Sequence, residues 1–402
     1  MIAYLTDVEG RWDKLVSFTA GNPHVSLVDG ELRLAEGITF VFGGDAIDRG
    51  AQGRRFVSLL LAARRAYGER VILLAGNRDL NKLRLVTELG GKPHPGAPST
   101  SSRAELLRWT LANTMGAGKA FEYRATELRE AGEPADDDAV VDSYLADLGP
   151  GGALRAYLNA SRLGFRAGAT LFLHGGVTVE NFLKTPKVEP ARDVDAWLAA
   201  LDRFHREELA AFEAGRRPDA LIAYQAQGPD KLNQGSVVYA RPTDELGNPN
   251  LPPSEIVERL LSDGIRRVVV GHTPSGDCPA ILRDGEFELV LADNSYGRLE
   301  TGSQVAFTDE VTDVSSLTQL DGGSQASVRF TLGREDHAPI GLREQGSGRL
   351  VKARLETGDY LLFRGLPKYQ VEQFAISADA LAALPLVVPS PFIPSGVEGR
   401  SP

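Results

Sequence analysis

The stretch that decides the fold is Gly37–Phe42, followed directly by Gly43-Gly44-Asp45-Ala46-Ile47-Asp48-Arg49-Gly50. The first part is an apolar run with the length and the β-branched and aromatic content of a buried strand. Glycines and carboxylates follow at once, so the strand ends in a turn that carries polar side chains. Because open α/β sheets bind ligands beyond the carboxyl ends of their strands, the stretch predicts a strand that delivers Asp45 to a functional site.

The same pattern of an apolar run followed by polar residues occurs five more times. Each run ends beside a residue type that binds metal ions or phosphate. These runs are Ile2–Thr6 before Asp7-Val8-Glu9-Gly10, Val71–Leu74 before Gly76-Asn77-Arg78-Asp79, Thr170–Leu173 before His174-Gly175-Gly176, Arg267–Val270 before Gly271-His272-Thr273-Pro274, and Phe287–Ala292 before Asp293-Asn294-Ser295-Tyr296-Gly297. We expect all of these segments to converge at one edge of one sheet.

Helical patterns lie between the strand runs, around residues 56–67 and 197–209. In the second of these helices, His205 is predicted to lie on a solvated face. The predicted fold class is therefore α/β, with two packed mixed β-sheets flanked by helices.

The chain divides into three predicted regions. A main domain covers residues 1–305 and includes a helical insertion at about residues 90–164, where strand runs are missing and several short helices are expected. A small β-rich region follows at residues 306–384, because short alternating runs are separated there by glycine-rich turns. Residues 385–402 are rich in proline and serine, which predicts a flexible tail.

Composition limits the classes of function. The 402 residues are 42% hydrophobic and 24% charged, which is typical of a globular protein. The net charge of -10 argues against a dedicated nucleic-acid binder, which would usually be basic. The single Cys278 cannot form an intramolecular disulfide and suits a reducing compartment. Since no apolar run approaches about 20 residues and the N-terminus does not read as a signal peptide, we expect a cytoplasmic protein without a membrane partner.

The polar residues at the strand ends match the needs of a two-metal centre. Two divalent ions can hold a phosphoryl group and activate a water molecule for attack on phosphorus. Such a centre requires a carboxylate that bridges both ions, further carboxylates and imidazoles, and an arginine for the phosphate oxygens. Candidate metal ligands are Asp7, Glu9, Asp45, Asn77, His174 and His272, and candidate phosphate contacts are Arg49 and Arg78.

In their order along the chain, these motifs resemble those of the calcineurin-like metallophosphoesterase superfamily. That family has Asp-x-His, Gly-Asp-x-x-Asp-Arg, Gly-Asn-His-Asp/Glu, a later His and then Gly-His. Here the corresponding segments read Asp7-Val8-Glu9, Gly44-Asp45-Ala46-Ile47-Asp48-Arg49, Gly76-Asn77-Arg78-Asp79, His174 and Gly271-His272. The resemblance covers roughly residues 1–300. The His-Gly-Gly and Gly-His-Thr-Pro segments are similar to the serine/threonine phosphatase and dinucleoside-polyphosphatase branches.

The resemblance implies a role for each matching residue. Asp45 would bridge two divalent ions, most favourably Mn²⁺, with Mg²⁺, Fe or Zn²⁺ as alternatives. Asp7 and Glu9 would join it on the first ion, and Asn77, His174 and His272 would complete the second. Arg49 would contact the substrate phosphate, with Arg241 as a second contact chosen by position alone and Tyr296 at the substrate edge.

Two residues depart from the family pattern. Glu9 replaces a histidine and remains a competent ligand, although a salt bridge to Arg11 is the alternative interpretation. Arg78 replaces the histidine that is thought to protonate the leaving oxygen, and a guanidinium cannot donate a proton at neutral pH. Asp48, which would orient the residue after Asn77, and Asp79, which could serve as a substitute acid, are equally compatible with catalytic and with structural roles.

The sequence therefore predicts a metal-dependent phosphoric ester hydrolase that acts on a phosphorylated substrate. A phosphoprotein phosphatase and a nucleotide-type enzyme that cleaves a phosphoanhydride are both compatible with the motifs. The alternative from a different class is a catalytically impaired binding or regulatory module with the same fold, suggested by the loss of both family histidines.

Overall fold

The computed structural model describes residues 1–99, 102–228, 232–299, 301–333, 338–367, 370–389 and 391. The strands in these residues are β1 (Ile2–Leu5), β2 (Val25–Val28), β3 (Glu31–Leu34), β4 (Thr39–Phe42), β5 (Val71–Leu74), β6 (Ser161–Arg162), β7 (Gly164–Ala167), β8 (Thr170–Leu173), β9 (Arg267–Val270), β10 (Ala280–Asp284), β11 (Phe287–Leu291), β12 (Gln304–Phe307), β13 (Val311–Gln319), β14 (Gln325–Gly333), β15 (Arg343–Glu344), β16 (Leu350–Arg354), β17 (Tyr360–Leu366), β18 (Gln370–Ile376) and β19 (Leu386–Val387).

The α-helices in the same residues are α1 (Trp12–Thr19), α2 (Gly53–Tyr67), α3 (Asn77–Asn81), α4 (Leu85–Leu89), α5 (Arg103–Thr114), α6 (Ala120–Glu130), α7 (Asp137–Leu148), α8 (Ala153–Ala160), α9 (Val194–Glu213), α10 (Asp219–Gln225), α11 (Ser254–Ser262) and α12 (Ala378–Ala382). Two short 3₁₀ helices cover Gly68–Arg70 and Lys82–Arg84. None of the helices in the described parts of the chain is long and apolar enough to cross a membrane.

Two mixed sheets form the centre of the molecule. The first has the order β14-β13-β12-β1-β4-β5-β6, and the second has the order β10-β11-β9-β8-β7. In the first sheet β1, β4, β5 and β6 are parallel, and in the second β8, β9 and β11 are parallel. The fold class predicted from the sequence is confirmed. The expectation of a single sheet edge is wrong, because three of the six polar strand ends belong to each sheet.

The two sheets pack face to face through apolar side chains. Tyr4 from the first sheet stacks on Phe172 from the second, with ring centroids 5.6 Å apart. The opposite face of the first sheet is covered by helices, as where Phe42 contacts Phe56 of α2 at 5.1 Å. Alternate residues of a strand point to opposite faces of its sheet. Because both faces of these parallel strands are buried, nearly every residue along them is apolar. His205 of α9 is also buried, so its predicted solvated position is wrong.

The region between β5 and β6 is helical, and it contains α5, α6, α7 and α8. The strands after residue 303 belong to two different sheets. Strands β12, β13 and β14 extend the first sheet beyond β1, whereas β15 to β19 form a separate five-stranded sheet in the order β18-β17-β16-β15-β19. The three-region division drawn from the sequence stays a prediction. Of its tail, residue 390 and residues 392–402 lie outside the described residues.

A buried carboxylate connects the C-terminal strands to the turn that carries His272. Asp277 accepts a hydrogen bond from the backbone nitrogen of Gln319 at 2.9 Å and one from the side chain of Gln373 at 3.2 Å. Its other oxygen accepts from the backbone nitrogen of Leu299 at 2.7 Å. A carboxylate with several donors is held firmly in place, so the C-terminal strands help to fix the segment that follows His272.

Candidate metal centre

The polar strand ends meet where the parallel strands of the two sheets terminate. Asp7, Asp45 and Asn77 follow β1, β4 and β5, while His174 and His272 follow β8 and β9. The parallel pairings align these ends within each sheet. The sequence predicts a common location, and the structure brings Asp7, Asp45, Asn77 and His272 to one cleft, with His174 buried beside Asp45.

The backbone at these turns adopts conformations that side chains normally avoid. Among the described residues, nine other than glycine have a positive φ. Six of them lie in the polar segments that follow the strands: Asp7, Glu9, Asp45, Asp48, His272 and Tyr296. Left-handed conformations are uncommon for such residues and concentrate at functional sites. All of these six except Asp48 line the cleft.

Three residues form a cluster that could hold a metal ion. One ligand atom each from Asp45, His174 and His272 lies within 4.8 Å of the others. All three residues are at most 6% exposed. The amide oxygen of Asn77 is 3.3 Å from Nε2 of His174, so it joins the same cluster. A carboxylate, an amide and two imidazoles form a suitable donor set for a divalent ion.

The hydrogen bonds of His174 prepare its Nε2 atom for a cation. Its Nδ1 lies 2.7 Å from the carbonyl oxygen of Gly43, so Nδ1 carries the proton and donates it. Nε2 then faces Oδ1 of Asp45 and Oδ1 of Asn77, both at 3.3 Å and both acceptors. Burial lowers the pKa of His174, but the carboxylates of Asp45 and Asp7 and the hydrogen bond to Gly43 together raise it to about 10. The site thus demands a positive charge, either a second proton on His174 or a metal ion.

Asp79 holds the turn that carries Asp45. Its two carboxylate oxygens accept hydrogen bonds from the backbone nitrogens of Asp45 at 2.9 Å, Ala46 at 2.8 Å and Gly76 at 2.9 Å. Asp79 is fully buried, and burial together with the nearby Asp45 charge raises its pKa to about 7. Because its oxygens are committed to the backbone, these contacts favour the structural role over that of a substitute acid.

Gly44 leaves room for this arrangement. It has a φ of 100°, and a Cβ atom added there would lie 2.7 Å from Nδ1 of His174 and 2.7 Å from the backbone nitrogen of Gly76. Such distances are shorter than non-bonded contact allows. The glycine therefore lets β4 and its turn approach β8 closely enough for Asp45 and His174 to meet.

Asp7 is fixed by donors from both sheets. Its carboxylate accepts a hydrogen bond from Oγ1 of Thr6 at 2.6 Å and one from the backbone nitrogen of His272 at 3.1 Å. Asp293, at the end of β11, is also buried and lines the same cleft. The buried Lys14 donates to the backbone oxygen of Asp7 and to Oγ of Ser295 at 3.3 Å. Neither Asp293 nor Lys14 was among the predicted site residues, although Asp293 ends a recognised strand run.

Glu9 is held between two guanidinium groups. Nε of Arg78 lies 2.7 Å from its Oε1, and Nη1 of Arg49 lies 3.0 Å from its Oε2. Burial raises the pKa of Glu9, and the two arginines oppose that effect. The two ion pairs therefore involve both carboxylate oxygens of Glu9, while its backbone nitrogen donates to the backbone oxygen of Asp45 at 2.9 Å.

Arg78 has further contacts that fix its position. Its backbone nitrogen donates to Oδ1 of Asp45 at 2.9 Å, and its Nε lies 3.4 Å from Oδ2 of the same residue. One guanidinium nitrogen donates to the hydroxyl of Tyr296 at 3.3 Å. Burial lowers the pKa of Arg78, but the surrounding carboxylates raise it by more, so the group stays charged. It cannot act as the general acid.

Asp48 is paired with a lysine that the sequence analysis missed. Nζ of Lys82 lies 2.7 Å from Oδ2 of Asp48, and it also donates to the backbone oxygen of Arg78 at 3.1 Å. Nη1 of Arg78 is 3.8 Å from the same carboxylate oxygen. Asp48 and Lys82 therefore help to fix the position of Arg78. The signal that could have found Lys82 is its spacing of four residues from Arg78 on one helical face.

The cleft above these residues is a cavity of about 230 Å³. Tyr296 and Arg241 line it, and Nε of Arg241 donates to Nε2 of His272 at 3.3 Å. Thr114 at the end of helix α5 and the following Met115 and Gly116 form part of its wall. The guanidinium of Arg49 stacks on the Tyr296 ring at 3.8 Å and borders a second cavity of about 460 Å³. Arg49 and Tyr296 thus separate the metal cleft from an adjoining groove.

The chain belongs to the calcineurin-like phosphoesterase family, whose sequence model matches residues 2–276. The family is metal-dependent, and the cluster at Asp45, His174 and His272 lies within the matched residues. The resemblance found from the motifs is thereby confirmed, and the class of the protein is that of a metal-dependent phosphoesterase. A search of curated protein sequences found no match to this chain.

Solved structures to which this chain is similar include two phosphatases. A cold-active protein-tyrosine phosphatase from a psychrophilic Shewanella species is 17% identical, with a TM-score of 0.45 over 81% of this chain and 79% of the other. A protein serine/threonine phosphatase from Saccharomyces cerevisiae is 13% identical, with a TM-score of 0.38 over 84% of this chain and 81% of the other.

Proposed function

We propose that this chain hydrolyses a phosphate monoester or a phosphoanhydride with the help of a divalent metal ion bound at Asp45, Asn77, His174 and His272. The observation that carries the proposal is the convergence of these ligand types in a cleft that also contains arginine side chains. A bound ion supplies a water molecule of lowered pKa and positive charge beside the phosphoryl oxygens.

The arginines around the cleft supply the remaining chemistry. Arg241 and Arg78 both line the cavity, and Arg49 stacks on Tyr296, which lines it as well. Guanidinium groups bind phosphate oxygens through paired hydrogen bonds and stabilise charge that develops during transfer. Since Arg78 and Arg49 are already oriented by Glu9, they need little rearrangement to meet a phosphoryl group.

The donor set bears on the choice of ion. Two oxygen ligands, from Asp45 and Asn77, suit Mn²⁺ and Mg²⁺, while the two imidazoles suit Fe and Zn²⁺. Mn²⁺ accommodates both ligand types, and we propose it as the ion to test first. The motifs predict two ions, and the cluster of Asp45, His174 and His272 accounts for one of them.

The test is hydrolysis of an aryl phosphate by chelator-treated protein to which single metals are added back. We expect activity to return with a divalent ion, and Asp45→Asn to lower turnover by at least two orders of magnitude, because an amide cannot replace the charge of the carboxylate. Circular dichroism should show that the variant is folded. If Asp45→Asn retains more than a few per cent of wild-type turnover, Asp45 is not the central ligand.

Phosphoproteins and nucleotide-type anhydrides remain the two candidate substrate classes. A screen of phosphopeptides, nucleotides and small phosphate esters with the same protein separates them. A chain that binds no divalent ion and leaves every one of these compounds intact would instead be the catalytically impaired regulatory module.

A further inference from the structure

We propose that the Arg78 guanidinium stands where the first of two metal ions would otherwise bind, so that this chain holds a single ion at Asp45, Asn77, His174 and His272. The inference rests on the metal-dependent function proposed above. It concerns the number of ions and the role of Arg78, and it differs from the two-ion centre that the motifs predict.

The first evidence is the position of the guanidinium among the expected ligands. The motifs assign the first ion to Asp7, Glu9 and Asp45. Nε of Arg78 contacts two of these three carboxylates, at 2.7 Å from Glu9 and 3.4 Å from Asp45. The positive charge of Arg78 therefore already lies between the oxygens of Glu9 and Asp45 that would have to bind the ion.

A second observation is that the oxygens of the three carboxylates already contact hydrogen-bond donors or cations. Glu9 has Arg78 on one oxygen and Arg49 on the other. Asp7 accepts from the hydroxyl of Thr6 and from the backbone nitrogen of His272. Glu9 is 3% exposed and Arg78 12%, so an ion that displaced Arg78 would leave a buried guanidinium without its partner, which is strongly unfavourable.

The position around His174 shows the opposite pattern. Nε2 of His174 faces acceptor oxygens of Asp45 and Asn77, each at 3.3 Å. Nδ1 is already used by the carbonyl of Gly43, so a neutral His174 has no proton to offer these oxygens. Acceptors that face each other in a buried site need a cation between them. Asp45, Asn77 and His174 thus fit an ion at this position, which Nε2 of His272 can join when Arg241 no longer donates to it, whereas the residues do not fit an ion between Glu9 and Asp45.

Arg78 is also anchored too firmly to move aside without loss. Its backbone nitrogen is bound to Asp45, its guanidinium contacts Tyr296, and Lys82 and Asp48 lie beneath it. A guanidinium is planar and permanently charged, so it can orient phosphoryl oxygens much as a second ion would. It cannot supply a second activated water molecule.

The experiment measures bound metal directly. Chelator-treated protein is loaded with Mn²⁺, separated from free ion, and analysed for manganese per chain, with electron paramagnetic resonance to detect coupling between adjacent ions. We expect one uncoupled ion in the wild type. Arg78→Ala should release Glu9 and double the content to two coupled ions, whereas Arg78→Lys, which keeps the charge, should retain one.

Two variants of Glu9 extend the test, and the one made in the wild-type background does not depend on how well Arg78→Ala folds. In the Arg78→Ala background, Glu9→Gln should return the content to one ion. In the wild-type background, Glu9→Gln should leave the content at one, with the affinity for Mn²⁺ changed less than about tenfold, about 1.4 kcal/mol.

The outcomes distinguish this inference from the proposed function. Two ions per chain in active wild-type protein, or a fall from two to one on Glu9→Gln, would refute the role of Arg78 and leave phosphoester hydrolysis intact. A wild type that binds no ion would refute both. An Arg78→Ala variant that folds and still binds one uncoupled ion would also refute the inference.

Discussion

Replacement of Lys82 by methionine should destabilise the protein by about 3–5 kcal/mol, the usual cost of removing one partner from a buried ion pair. The side chains of Lys82 and Asp48 are 0% and 1% exposed, and their charged atoms lie 2.7 Å apart. Without the ammonium group, the cation nearest to Asp48 in the described parts of the chain would be Arg78, at 3.8 Å. Its second oxygen, Oδ1, has no hydrogen-bond partner among the described residues. A buried carboxylate in that position would lack most of the charge pairing and hydrogen bonding that offset the cost of removing it from water.

The assay is urea denaturation of the metal-free protein, followed by circular dichroism, for the wild type, Lys82→Met, Asp48→Asn and the double variant. Because the penalty arises from an unpaired charge, the double variant should be more stable than the sum of the single effects indicates, by about 2 kcal/mol or more. Lys187→Met is the matched control. Lys187 also pairs with a glutamate at 2.8 Å, but it is 66% exposed, so the change should cost no more than about 1 kcal/mol.

A loss below about 1 kcal/mol in Lys82→Met, together with additive effects in the double variant, would refute this reasoning. It would mean that water reaches Asp48 or that Arg78 moves to neutralise it. Lys82→Met should also reduce turnover, since Lys82 binds the backbone oxygen of Arg78. A variant that loses stability but keeps wild-type turnover would limit Lys82 to a structural role.

Three further predictions concern the residues around the proposed ion. Wild-type turnover should depend steeply on the acidity of the leaving group, because Arg78 cannot donate a proton, and Arg78→His should flatten that dependence across a series of phosphate esters; a flat wild-type series would reveal another acid. Asp79→Asn should cost about 1–3 kcal/mol in urea denaturation and lower turnover, because an amide nitrogen would face backbone donors; unchanged stability would contradict its structural role. Because folding raises the pKa of His174, its protonated form stabilises the metal-free protein, fully so below about pH 6.5. This contribution should disappear as the pH rises through about 10. The free energy of unfolding of His174→Gln should therefore depend less on pH over this range.

The positions of the main site residues could be predicted because they depend on local pattern. Strands β5, β8 and β9 coincide with the predicted apolar runs at Val71–Leu74, Thr170–Leu173 and Arg267–Val270. A parallel strand that is buried on both faces must be apolar throughout. Its end is also marked by an abrupt change to polar residues. Both features depend on consecutive residues alone, so they can be recognised without knowledge of the fold.

Features that depend on contacts between distant segments could not be predicted in the same way. His205 lies in a helix with an apolar stripe, yet its side chain is buried, because neighbouring elements cover more of α9 than that stripe indicates. Lys82 sits in a short helical turn without a motif, and its buried ion pair is formed with Asp48, 34 positions away in the chain. The pairing of Arg78 with Glu9 joins residues 69 positions apart, and either residue alone is compatible with several roles.

The place of β12 in the first sheet has a consequence for how the chain folds during synthesis. Strand β1 pairs with β4 on one side and with β12 on the other, so Ile2 and Phe307 are direct partners. Until about 300 residues have been added, β1 remains an edge strand with unpaired backbone groups. Closing so long a loop is entropically costly and slows folding. The turn that carries Asp7 should therefore become fully ordered late, after the ribosome has released the segment from β12 to β14, and nascent chains that stop before residue 304 should expose β1 to proteolysis or aggregation.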